Sequence, residues 1–510
     1  MKRWQLFFFI LITLSSVAQT KKNDSLYHER YRPQFHFSPA VNWTNDPNGL
    51  VYFKGEYHLF YQYNPFGNTW GHMSWGHAVS KDLVSWKQLP VAIPEEGNTM
   101  IFSGSCVVDK NNTAGFATKP GQTAMVAIYT AHINLDSLQK DSTLQNQHIA
   151  YSLDNGRTWT KYKGNPVLDL KRKDFRDPKV FWYEKGKKWI MSVVFPQEHI
   201  VQFYSSPDLK QWTFLSDFGP TGDINGIWEC SDLLRIPVKG KPGEYKWVLL
   251  NSVSTTMQYF IGEFDGKIFR SENYDGQIIR PDYGADFYAG ITFNDLPAGA
   301  SPVLIGWANN WSYAGAVPTF PWRSVMSLPR SLSVAEINGM WTLVEEPVPA
   351  LKNLRLAQTT FNNLKFTGTK KLPIQSQQME LDIIMDPGRE DSCGIQLAVG
   401  NGKYFTIGYA EYTQELYVDR SNSGDTSFHP EFKNWLKSKT ELTENNNKIR
   451  LHIFFDKSII EAFADYGQVV ITEQLFPDEK NKGILLFSKN GKTVFDRVKA
   501  WPLKSAWKAN

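Results

Sequence analysis

The chain alternates hydrophobic and polar residues in short runs, and turn-forming residues separate one run from the next. Leu50–Phe53 and Tyr57–Tyr61 flank Lys54-Gly55-Glu56, and Val180–Tyr183 pairs in the same way with Trp189–Val194. Alternation with a period of two on either side of a short turn is typical of β-hairpins. No long stretch sustains the three- and four-residue spacing of an amphipathic helix. The pattern therefore predicts an all-β protein.

A weak internal repeat groups the first strands into five similar segments. The residues that precede the first strand of each segment are Asp46, Ser103, Asp177, Glu229 and Asp286, spaced 52 to 74 residues apart. Each segment is long enough for one four-stranded sheet, and repeated small sheets indicate a β-propeller with five blades. Because the innermost strands of a propeller line its axis, these five side chains are expected to meet in one funnel.

The pattern changes after residue 343. Glu345-Glu346-Pro347-Val348-Pro349 has the composition of a linker, and alternating runs such as Met379–Ile384 and Ile449–Phe455 follow it. Such runs favour a second all-β unit of the sandwich type. We therefore predict a five-bladed β-propeller over residues 35–343, a linker over 344–358 and a β-sandwich over 359–510.

Several polar residues are best interpreted as structural. Ser80-Lys81-Asp82 with Trp86 recurs as Ser152-Leu153-Asp154 with Trp159 and as Ser206-Pro207-Asp208 with Trp212; the middle copy matches the Asp-box turn of sialidases. Asp should cap a tight turn there while Trp packs between blades. His72 and His77 are expected to be hydrogen-bonded structural residues, since their spacing suits neither a zinc helix nor a triad. In the second unit, Asp456 and Glu461 are expected to be surface charges.

The first residues resemble a secretory signal. Lys2-Arg3 precede an apolar stretch from Leu6 to Leu14 and small residues to Ala18, which predicts a signal peptide over residues 1–18 and a polar tail over 19–34. An exported protein, periplasmic or extracellular and without a membrane anchor after cleavage, follows from this. Cys106, Cys230 and Cys393 are too few for a disulfide framework; one bridge is conceivable, but three buried or semi-buried thiols are expected.

Composition narrows the class of partner. The formal net charge is +4, from 55 Lys and Arg against 51 Asp and Glu mixed along the chain, which does not indicate a nucleic-acid partner. Aromatic residues make up 14% of the chain and include 18 Trp. Aromatic surfaces stack on sugar rings, although large β-proteins also use Trp and Tyr freely in their cores.

Three short motifs place a carboxylate at the entrance to a hydrophobic strand. They are Trp43-Thr44-Asn45-Asp46-Pro47-Asn48-Gly49, Phe175-Arg176-Asp177-Pro178 and Trp228-Glu229-Cys230. In the first, Pro47 and Asn48-Gly49 indicate a stiff turn ahead of the strand that starts at Leu50. One such motif alone is more often a surface turn than a functional site. Three in this order are a specific pattern.

In their order and separations these motifs resemble the signature of glycoside hydrolase family 32, the β-fructosidases, along nearly the whole mature chain. The family usually has Pro after the Glu-Cys pair, whereas this chain has Ser231. The resemblance implies a catalytic propeller with a C-terminal β-sandwich. It also implies that Asp46 is the nucleophile, Glu229 the acid/base and Asp177 the transition-state stabiliser, oriented by Arg176, in a retaining reaction.

The residues around the motifs agree with these roles. Asn45, Asn48 and turn amides are expected to keep Asp46 ionised, and Trp228 and Cys230 are expected to raise the pKa of Glu229. Arg176 is expected to keep Asp177 from titrating near neutrality. The resemblance further implies a pocket for one fructosyl unit. No cofactor is predicted, and no metal site is assigned because the cysteines lack metal-ligand spacing, although metal content stays open. The wall and floor of the pocket would be formed by Asn45, Gln62, Trp70, Phe102, Ser103, Arg176, Asp286, Tyr288 and Trp307, of which Trp307 and Phe102 could equally be core residues.

Three functions remain to be weighed. A secreted retaining β-fructosidase that removes terminal fructosyl units from levan, inulin or sucrose accounts for all three carboxylates. A carbohydrate-binding propeller without turnover does not need an acid/base pair. A sialidase needs an arginine cluster and a tyrosine nucleophile, which the sequence does not bring together. Linkage preference and oligomeric state are not specified by the sequence.

Overall fold

The computed structural model describes residues 26–135, 142–274, 276–389, 391–444 and 446–507, and they form two all-β units. The predicted signal peptide lies outside these ranges. Among the described residues, no helix is both long and apolar enough to cross a membrane.

The first two blades each begin with a long inner strand. Blade 1 contains β1 (Asn42–Phe53), β2 (Glu56–Tyr63), β3 (Ser74–Ser80) and β4 (Trp86–Ile93). Blade 2 contains β5 (Thr99–Asp109), β6 (Ala124–Asn134), β7 (Thr143–Ser152), β8 (Thr160–Lys161) and β9 (Leu168–Arg172).

Blades 3 to 5 follow the same order from the axis outward. Blade 3 contains β10 (Arg176–Tyr183), β11 (Lys188–Phe195), β12 (Ile200–Ser206) and β13 (Thr213–Phe218). Blade 4 contains β14 (Trp228–Pro237), β15 (Tyr245–Val253), β16 (Thr256–Phe264) and β17 (Phe269–Ser271). Blade 5 contains β18 (Tyr288–Thr292), β19 (Val303–Trp307), β21 (Arg330–Ile337) and β22 (Met340–Pro347), while the short β20 (Trp322–Arg323) pairs with β1.

The inner strands close into a ring, which confirms the five-bladed propeller. Each of β1, β5, β10 and β14 packs against the inner strand of the next blade, and β18 returns to β1. Backbone hydrogen bonds join the last blade to the first, from Tyr52 N to Asn294 O at 3.0 Å and from Asn294 N to Leu50 O at 2.9 Å.

All five inner strands carry a β-bulge near the end at which they begin. The register shifts lie between Thr44 and Pro47, Ile101 and Gly104, Arg176 and Lys179, Glu229 and Asp232, and Tyr288 and Ile291. A bulge inserts an extra residue and re-aims the neighbouring side chains. The motif around Asp46 is thus not a turn ahead of a strand, as its sequence suggested, but a bulged part of a strand that already runs from Asn42.

Left-handed backbone accompanies these bulges. Gly49 has φ of 54°, and a Cβ there would lie 2.7 Å from the ring of Phe60. Asp177, Cys230 and Ala289 adopt φ of 65°, 49° and 52°. Such angles cost a non-glycine residue on the order of 1 kcal/mol or more, so the surrounding packing must impose them.

The three Ser-Asp-Trp elements form the same turn in blades 1, 2 and 3. In each copy the Ser hydroxyl donates to the Asp carboxylate, which also accepts a backbone N–H from the turn. In each copy the Trp indole donates to the carbonyl three residues earlier. The structural interpretation of these elements is confirmed.

The second unit is a sandwich of two six-stranded antiparallel sheets. One sheet has the order β23-β34-β25-β30-β31-β32: β23 (Thr359–Lys365), β25 (Gln378–Asp386), β30 (Ile449–Asp456), β31 (Ile459–Ala464), β32 (Val469–Gln474) and β34 (Val494–Pro502). The other has the order β24-β33-β26-β27-β28-β29: β24 (Gly368–Gln375), β26 (Ser392–Gly400), β27 (Lys403–Ala410), β28 (Glu415–Asp419), β29 (Lys437–Glu441) and β33 (Gly483–Ser488). Leu381, Ile395, Ile407 and Ile453 are among the residues of the core between the sheets.

Helical structure in the described residues is confined to short 3₁₀ turns. They are Glu184–Gly186, Ala314–Ala316, Pro349–Leu354, Glu411–Thr413, Pro430–Trp435 and Asp465–Gly467. All three cysteines are buried and free, as expected. His77 is buried and contacts His58 Nδ1 at 3.1 Å, whereas His72 is exposed and contacts Glu95 at 2.7 Å.

The contact between the two units is charged and buried, and we call it the interface network. Arg330 of blade 5 contacts Asp282, Glu345 and Glu461 at 2.9, 3.0 and 2.7 Å. Arg420, which follows β28, contacts Asp286 at 2.5 Å and Glu473 at 2.9 Å. None of these seven side chains is more than 2% exposed.

Asp456 and Glu461 are therefore not surface charges, and that prediction is wrong. Both side chains are fully buried, and His36 lies between them, 2.9 Å from Asp456 and 3.2 Å from Glu461. Asp456 also accepts the backbone N–H groups of Gln34, Phe35 and His36. Both side chains alternate with the sandwich-core residues Phe455 and Ile460 and so face away from that core. The propeller and the segment before it cover this face.

Two segment boundaries also differ from the sequence-based ones. Residues 344–347 are not linker but the end of β22, where Glu345 is buried against Arg330. The end of the predicted polar tail is buried as well, with Arg32 bonded to Glu29 at 2.9 Å and to the carbonyl of Pro39 at 2.6 Å.

Candidate active site

A cavity of about 690 Å³ opens at the end of the propeller axis where the inner strands begin. Strands of the first four blades reach it, and the loop after β19 completes its rim. Its lining residues are Asn45, Asp46, Gln62, Trp70, Phe102, Ser103, His132, Gln145, Asp174, Arg176, Asp177, Ile227, Glu229, Ser254, Thr255, Trp311 and Ser312. The three predicted carboxylates thus share one cavity.

Asp46 projects from the bulge of β1. Its Oδ2 accepts a hydrogen bond from Ser103 Oγ at 2.6 Å, and its Oδ1 accepts one from Asn45 Nδ2 at 3.1 Å. Burial and the charge of Glu229 raise the pKa of Asp46, while the bonds from Ser103 and Asn45 oppose the rise. Of the expected donors Asn45 is bonded to Asp46, and Ser103 takes the place predicted for Asn48 and the turn amides. The expectation that these bonds would hold the pKa of Asp46 down is wrong, because desolvation outweighs them.

Asp177 is buried beside the other two acids, and the nearby charge of Arg176 only partly offsets the rise in its pKa. Its Oδ2 accepts the backbone N–H of Cys230 at 3.0 Å. Burial and then the charge of Glu229 raise its pKa to about 7. The expectation that Asp177 would not titrate near neutrality is therefore wrong. Arg176 precedes it in the chain, yet the hydrogen bonds of the Arg176 guanidinium go to other carboxylates.

The hydrogen bonds of the Arg176 guanidinium help to hold Glu229 in place. Arg176 Nε donates to Glu229 Oε1 at 2.9 Å and Arg176 Nη1 donates to Asp174 Oδ1 at 3.0 Å. The hydroxyl of Tyr288 donates to the other oxygen, Glu229 Oε2. Trp228, which was expected to shield Glu229, is buried instead against Phe260 and His199. Glu229 is thus oriented through both of its oxygens.

Cys230 lies between the other two acids. Its Sγ is 3.6 Å from Asp46 Oδ2 and 3.7 Å from Asp177 Oδ2. Burial and the adjacent carboxylates raise the pKa of this thiol well above its usual value, so it remains a neutral, weak donor. The adjacent Ser231 donates from Oγ to Ser192 Oγ at 3.0 Å.

Aromatic rings form one wall of the cavity. Phe102 stacks on His132 with ring centroids 4.4 Å apart, and the half-exposed Trp70 meets Phe102 edge-on at 6.2 Å. Burial lowers the pKa of His132 to about 4, so it is neutral near pH 7. Trp311 lines another part of the rim. These rings can pack on the apolar face of a sugar without adding charge.

Three further predicted residues line or support the site. Gln62 lines the cavity and donates to the carbonyl of Ile101 at 3.0 Å. Trp307 is fully buried behind Trp311, with ring centroids 4.7 Å apart, and so acts through that residue. Tyr288 is also buried and reaches the site through its hydroxyl.

Asp286 is not brought to the cavity, and its expected role is corrected here. It lies in the interface network, where it binds Arg420 and accepts a hydrogen bond from Tyr313 at 2.7 Å. The bulge of blade 5 begins at Tyr288, two residues later, so Tyr288 rather than Asp286 occupies the position equivalent to Glu229.

Sequence reasoning missed part of the lining. The missed residues are His132, Gln145, Asp174, Ile227, Ser254, Thr255, Trp311 and Ser312. Asp174 and Ile227 each directly precede a recognised carboxylate motif and could have been found from that proximity. His132 and Gln145 lie on the second and third strands of blade 2, away from the carboxylate motifs. Among the described residues, no group of three or more His, Cys, Asp or Glu side chains has the arrangement of a metal site.

Comparison with known proteins shows extensive similarity. Residues 36–347 match the glycosyl hydrolases family 32 N-terminal domain, and residues 350–502 match the glycosyl hydrolases family 32 C-terminal domain. A levanase of Bacillus subtilis (strain 168) is 44% identical over 98% of this chain and 74% of its own length. An extracellular exo-inulinase of Aspergillus niger is 37% identical over 94% of this chain and 96% of its own length. The crystal structure of exo-inulinase from Aspergillus awamori superimposes with a TM-score of 0.88 at 35% identity, covering 94% of this chain and all of that one.

Proposed function

This chain belongs to glycosyl hydrolase family 32, and we propose that it is an exported retaining β-fructosidase. Its substrates are fructans such as levan and inulin, from which it releases terminal β-D-fructosyl units, and sucrose is a smaller substrate of the same site. The levanase and exo-inulinase relatives support this substrate class.

The observation that carries the proposal is the shared cavity of Asp46, Asp177 and Glu229. Glycoside cleavage needs one group that protonates the leaving oxygen and a second carboxylate on the opposite side of the anomeric carbon. Glu229 is oriented by Arg176 of blade 3 and Tyr288 of blade 5. Asp46 is oriented by Ser103 of blade 2 and by its chain neighbour Asn45. Independent supports for the two carboxylates suit two different roles.

In the first step, Glu229 donates a proton to the glycosidic oxygen while an oxygen of Asp46 attacks C2 of the fructosyl unit. The C2–O bond to the leaving group breaks and a fructosyl ester of Asp46 forms. Asp177 accepts hydrogen bonds from sugar hydroxyls, which strengthen as positive charge develops on the ring.

In the second step, Glu229 takes a proton from water, and the resulting hydroxide attacks C2 from the side that the leaving group vacated. The ester bond breaks, Asp46 is released as a carboxylate, and Glu229 is again protonated. Two inversions at C2 give retention of configuration.

The shape of the cavity supports attack at chain ends. The cavity lies where the inner strands begin, and beyond it these strands pack against one another around the propeller axis. A pocket closed at one end accepts one terminal unit, so a chain has to enter with its end first.

Product analysis tests both the class and the mode of action. Levan, inulin and sucrose are digested separately, and products at low conversion are resolved by size. We expect fructose as the early product from both polymers. A ladder of oligosaccharides would instead indicate an endo-acting enzyme, and no release of reducing sugar from any of the three would favour a carbohydrate-binding protein.

A further inference from the structure

The sandwich carries a groove lined by tyrosine rings and polar side chains, which we call the tyrosine groove. It lies on the outward face of the sheet β24-β33-β26-β27-β28-β29 and encloses about 730 Å³. Tyr404, Tyr412 and Tyr417 are among its lining residues. In β27 and β28 these positions alternate with the buried core residues Phe405, Leu416 and Val418, so the groove faces away from the sandwich core.

The base of the groove is shaped by glycine. Gly394 of β26 pairs with Gly408 of β27, and Gly408 pairs with Tyr417 of β28. The Tyr417 ring crosses directly over Gly408, where a Cβ would lie 2.3 Å from the Tyr417 Cζ atom. The Tyr417 hydroxyl lies 3.1 Å from Ser392 Oγ, which fixes the ring across the strands.

Paired glycines inside strands do not serve the stability of the sheet. Glycine in a strand interior is less favourable than alanine by roughly 0.5–1 kcal/mol and often marks a place where a ligand approaches closely. Here Gly408 lets the Tyr417 ring lie close against the sheet, while Gly394 lets the backbone of β27 approach at Ile407. Tyr412, with 73% of its surface exposed, and Tyr404, with 36%, also line the groove.

The charges of the groove favour an uncharged ligand. Lys437 pairs with Asp419 at 3.1 Å, and Lys439 pairs with Glu415 at 2.6 Å, each across neighbouring strands. Lys489 is the one further charged residue of the lining. Hydroxyl and amide groups from Ser392, Gln396 and Thr406 complete the surface. Exposed rings with neutral hydrogen-bonding groups match the apolar faces and hydroxyls of sugars, and do not match a polyanion.

We propose that the tyrosine groove binds an internal stretch of a β-fructan chain, separately from the catalytic cavity. The choice of ligand rests on the proposed function, because the polymer that the propeller degrades is the uncharged polysaccharide available to this protein. Binding one part of the polymer raises the effective concentration of its ends near the cavity. The groove should therefore matter for long chains and not for sucrose.

Binding is measured with the full chain carrying Asp46→Ala, which cannot turn the polymer over. The probe is levan of high molar mass, which has few chain ends, in the presence of saturating fructose to occupy the catalytic cavity. Retardation in native gels that contain levan gives the affinity. The test variant adds Tyr404→Ala and Tyr412→Ala, and the matched control adds Tyr274→Ala and Tyr466→Ala, two exposed tyrosines outside the groove.

Loss of two stacking rings should weaken levan binding by about tenfold, whereas the control should bind like the parent. With Asp46 intact, the groove variant should keep its kcat/KM on sucrose and lose efficiency on dilute levan. Equal retardation of all variants would overturn the proposal. So would a change of oligomeric state in the groove variant, which would assign the face to a second copy of the chain. If instead the wild-type chain releases no fructose from levan, the proposed function fails, and that result is distinct from either outcome.

Discussion

The interface network and the catalytic cavity both bury several carboxylates around guanidinium groups, but they satisfy those carboxylates differently. In the interface network, Arg330 and Arg420 are fully enclosed, and fixed protein donors supply further bonds. Examples are Thr472 N to Asp282 Oδ1 at 2.9 Å and Gln474 N to Asp286 Oδ2 at 2.8 Å. In the cavity, Asp46 and Asp177 share few donors, and Arg176 is bonded to Glu229 and Asp174.

Both regions contain more carboxylates than guanidinium groups. The pKa of Glu345 and that of Glu473 in the interface network are raised to about 7 by burial, as is that of Asp177 in the cavity. Glu461 differs, because Arg330 and His36 hold its pKa below the usual range despite burial. What separates the regions is therefore the open space beside Asp46 and Asp177, where a substrate can supply the missing partners.

This difference predicts that the interface network determines stability and that the cavity determines turnover. Breaking the interface network should cost stability and leave the chemistry intact, since none of its residues lines the cavity. Replacing a carboxylate of the cavity should lower the turnover rate. The free energy of unfolding should stay the same or rise, because uncompensated buried charge is unfavourable to folding.

The largest effect is expected for Asp46→Ala. Without a nucleophile no fructosyl-enzyme can form, so hydrolysis of fructan and of an activated aryl fructoside should both fall, by on the order of 10⁴-fold or more. The thermal unfolding midpoint should not decrease. Initial rates and calorimetry on the same preparation check the two statements. Retention of the aryl activity by this variant alone would remove Asp46 from the nucleophile role.

Glu229→Ala should show a smaller loss that depends on the leaving group. General acid catalysis is typically worth ~10²–10⁴-fold, and it matters most when the leaving oxygen is a poor one, as in fructan or sucrose. An aryl fructoside leaves without help, so the fructosyl-enzyme should still form and its hydrolysis should become limiting. Added azide needs no general base and should restore turnover. If Glu229→Ala and Asp46→Ala respond alike to leaving group and azide, the two roles are not separate.

Arg330→Met tests the role of the interface network in stability. It leaves Asp282, Glu345 and Glu461 buried without their shared cation, and breaking a buried ion pair in this way costs about 3–5 kcal/mol. We expect a much lower midpoint in urea unfolding, while KM for sucrose at low temperature stays close to that of the wild type.

The matched control is Arg270→Met. Arg270 also contacts a carboxylate, Asp265 at 2.7 Å, but both side chains are about half exposed, so the cost should stay within about 1 kcal/mol. Equal losses from the two substitutions would mean that the interface network does not hold the two units together as described.

The same comparison explains how far sequence reasoning reached. The period-two pattern predicts the strands because each strand has one face toward a core, and the order of the three motifs predicts the shared carboxylates. Alternation specifies which face a residue occupies but not what covers that face. Asp456 and Glu461 were therefore misjudged, since the propeller packs over them.

Local sequence was also a poor guide to electrostatics at the bulges. Arg176 is adjacent to Asp177 in the chain, yet its guanidinium serves Glu229, which is 53 residues away. The bulge in β10 turns the two neighbours toward different partners. Asp286 was misplaced for a related reason, because the bulge of blade 5 starts after it and no turn residue marks that register in the sequence.

Two substitutions compare the regions through the pH dependence of stability. Glu461 has a pKa below its unfolded value, so its contribution is present above the unfolded pKa and is lost as pH falls through the folded pKa. Glu461→Gln should therefore be destabilising at neutral pH, and the difference from wild type should shrink in acid. Urea unfolding at a series of pH values gives both curves.

Asp177→Asn should change the pH dependence of stability with the opposite sign. Its pKa is about 7 in the folded state and near 3.8 when unfolded, so between those values the native protein binds the extra proton. Wild-type stability should then fall as pH rises from about 4 to 7, by at most about 1.4 kcal/mol per pH unit, which is the linkage limit for one bound proton. Asn carries no charge, so the variant should match wild type near pH 4 and exceed it by a growing margin up to pH 7, although it loses activity. If the unfolding free energies of wild type and Asp177→Asn instead run parallel with pH, the buried charge of Asp177 does not destabilise the folded protein. The contrast with Glu461 would then disappear.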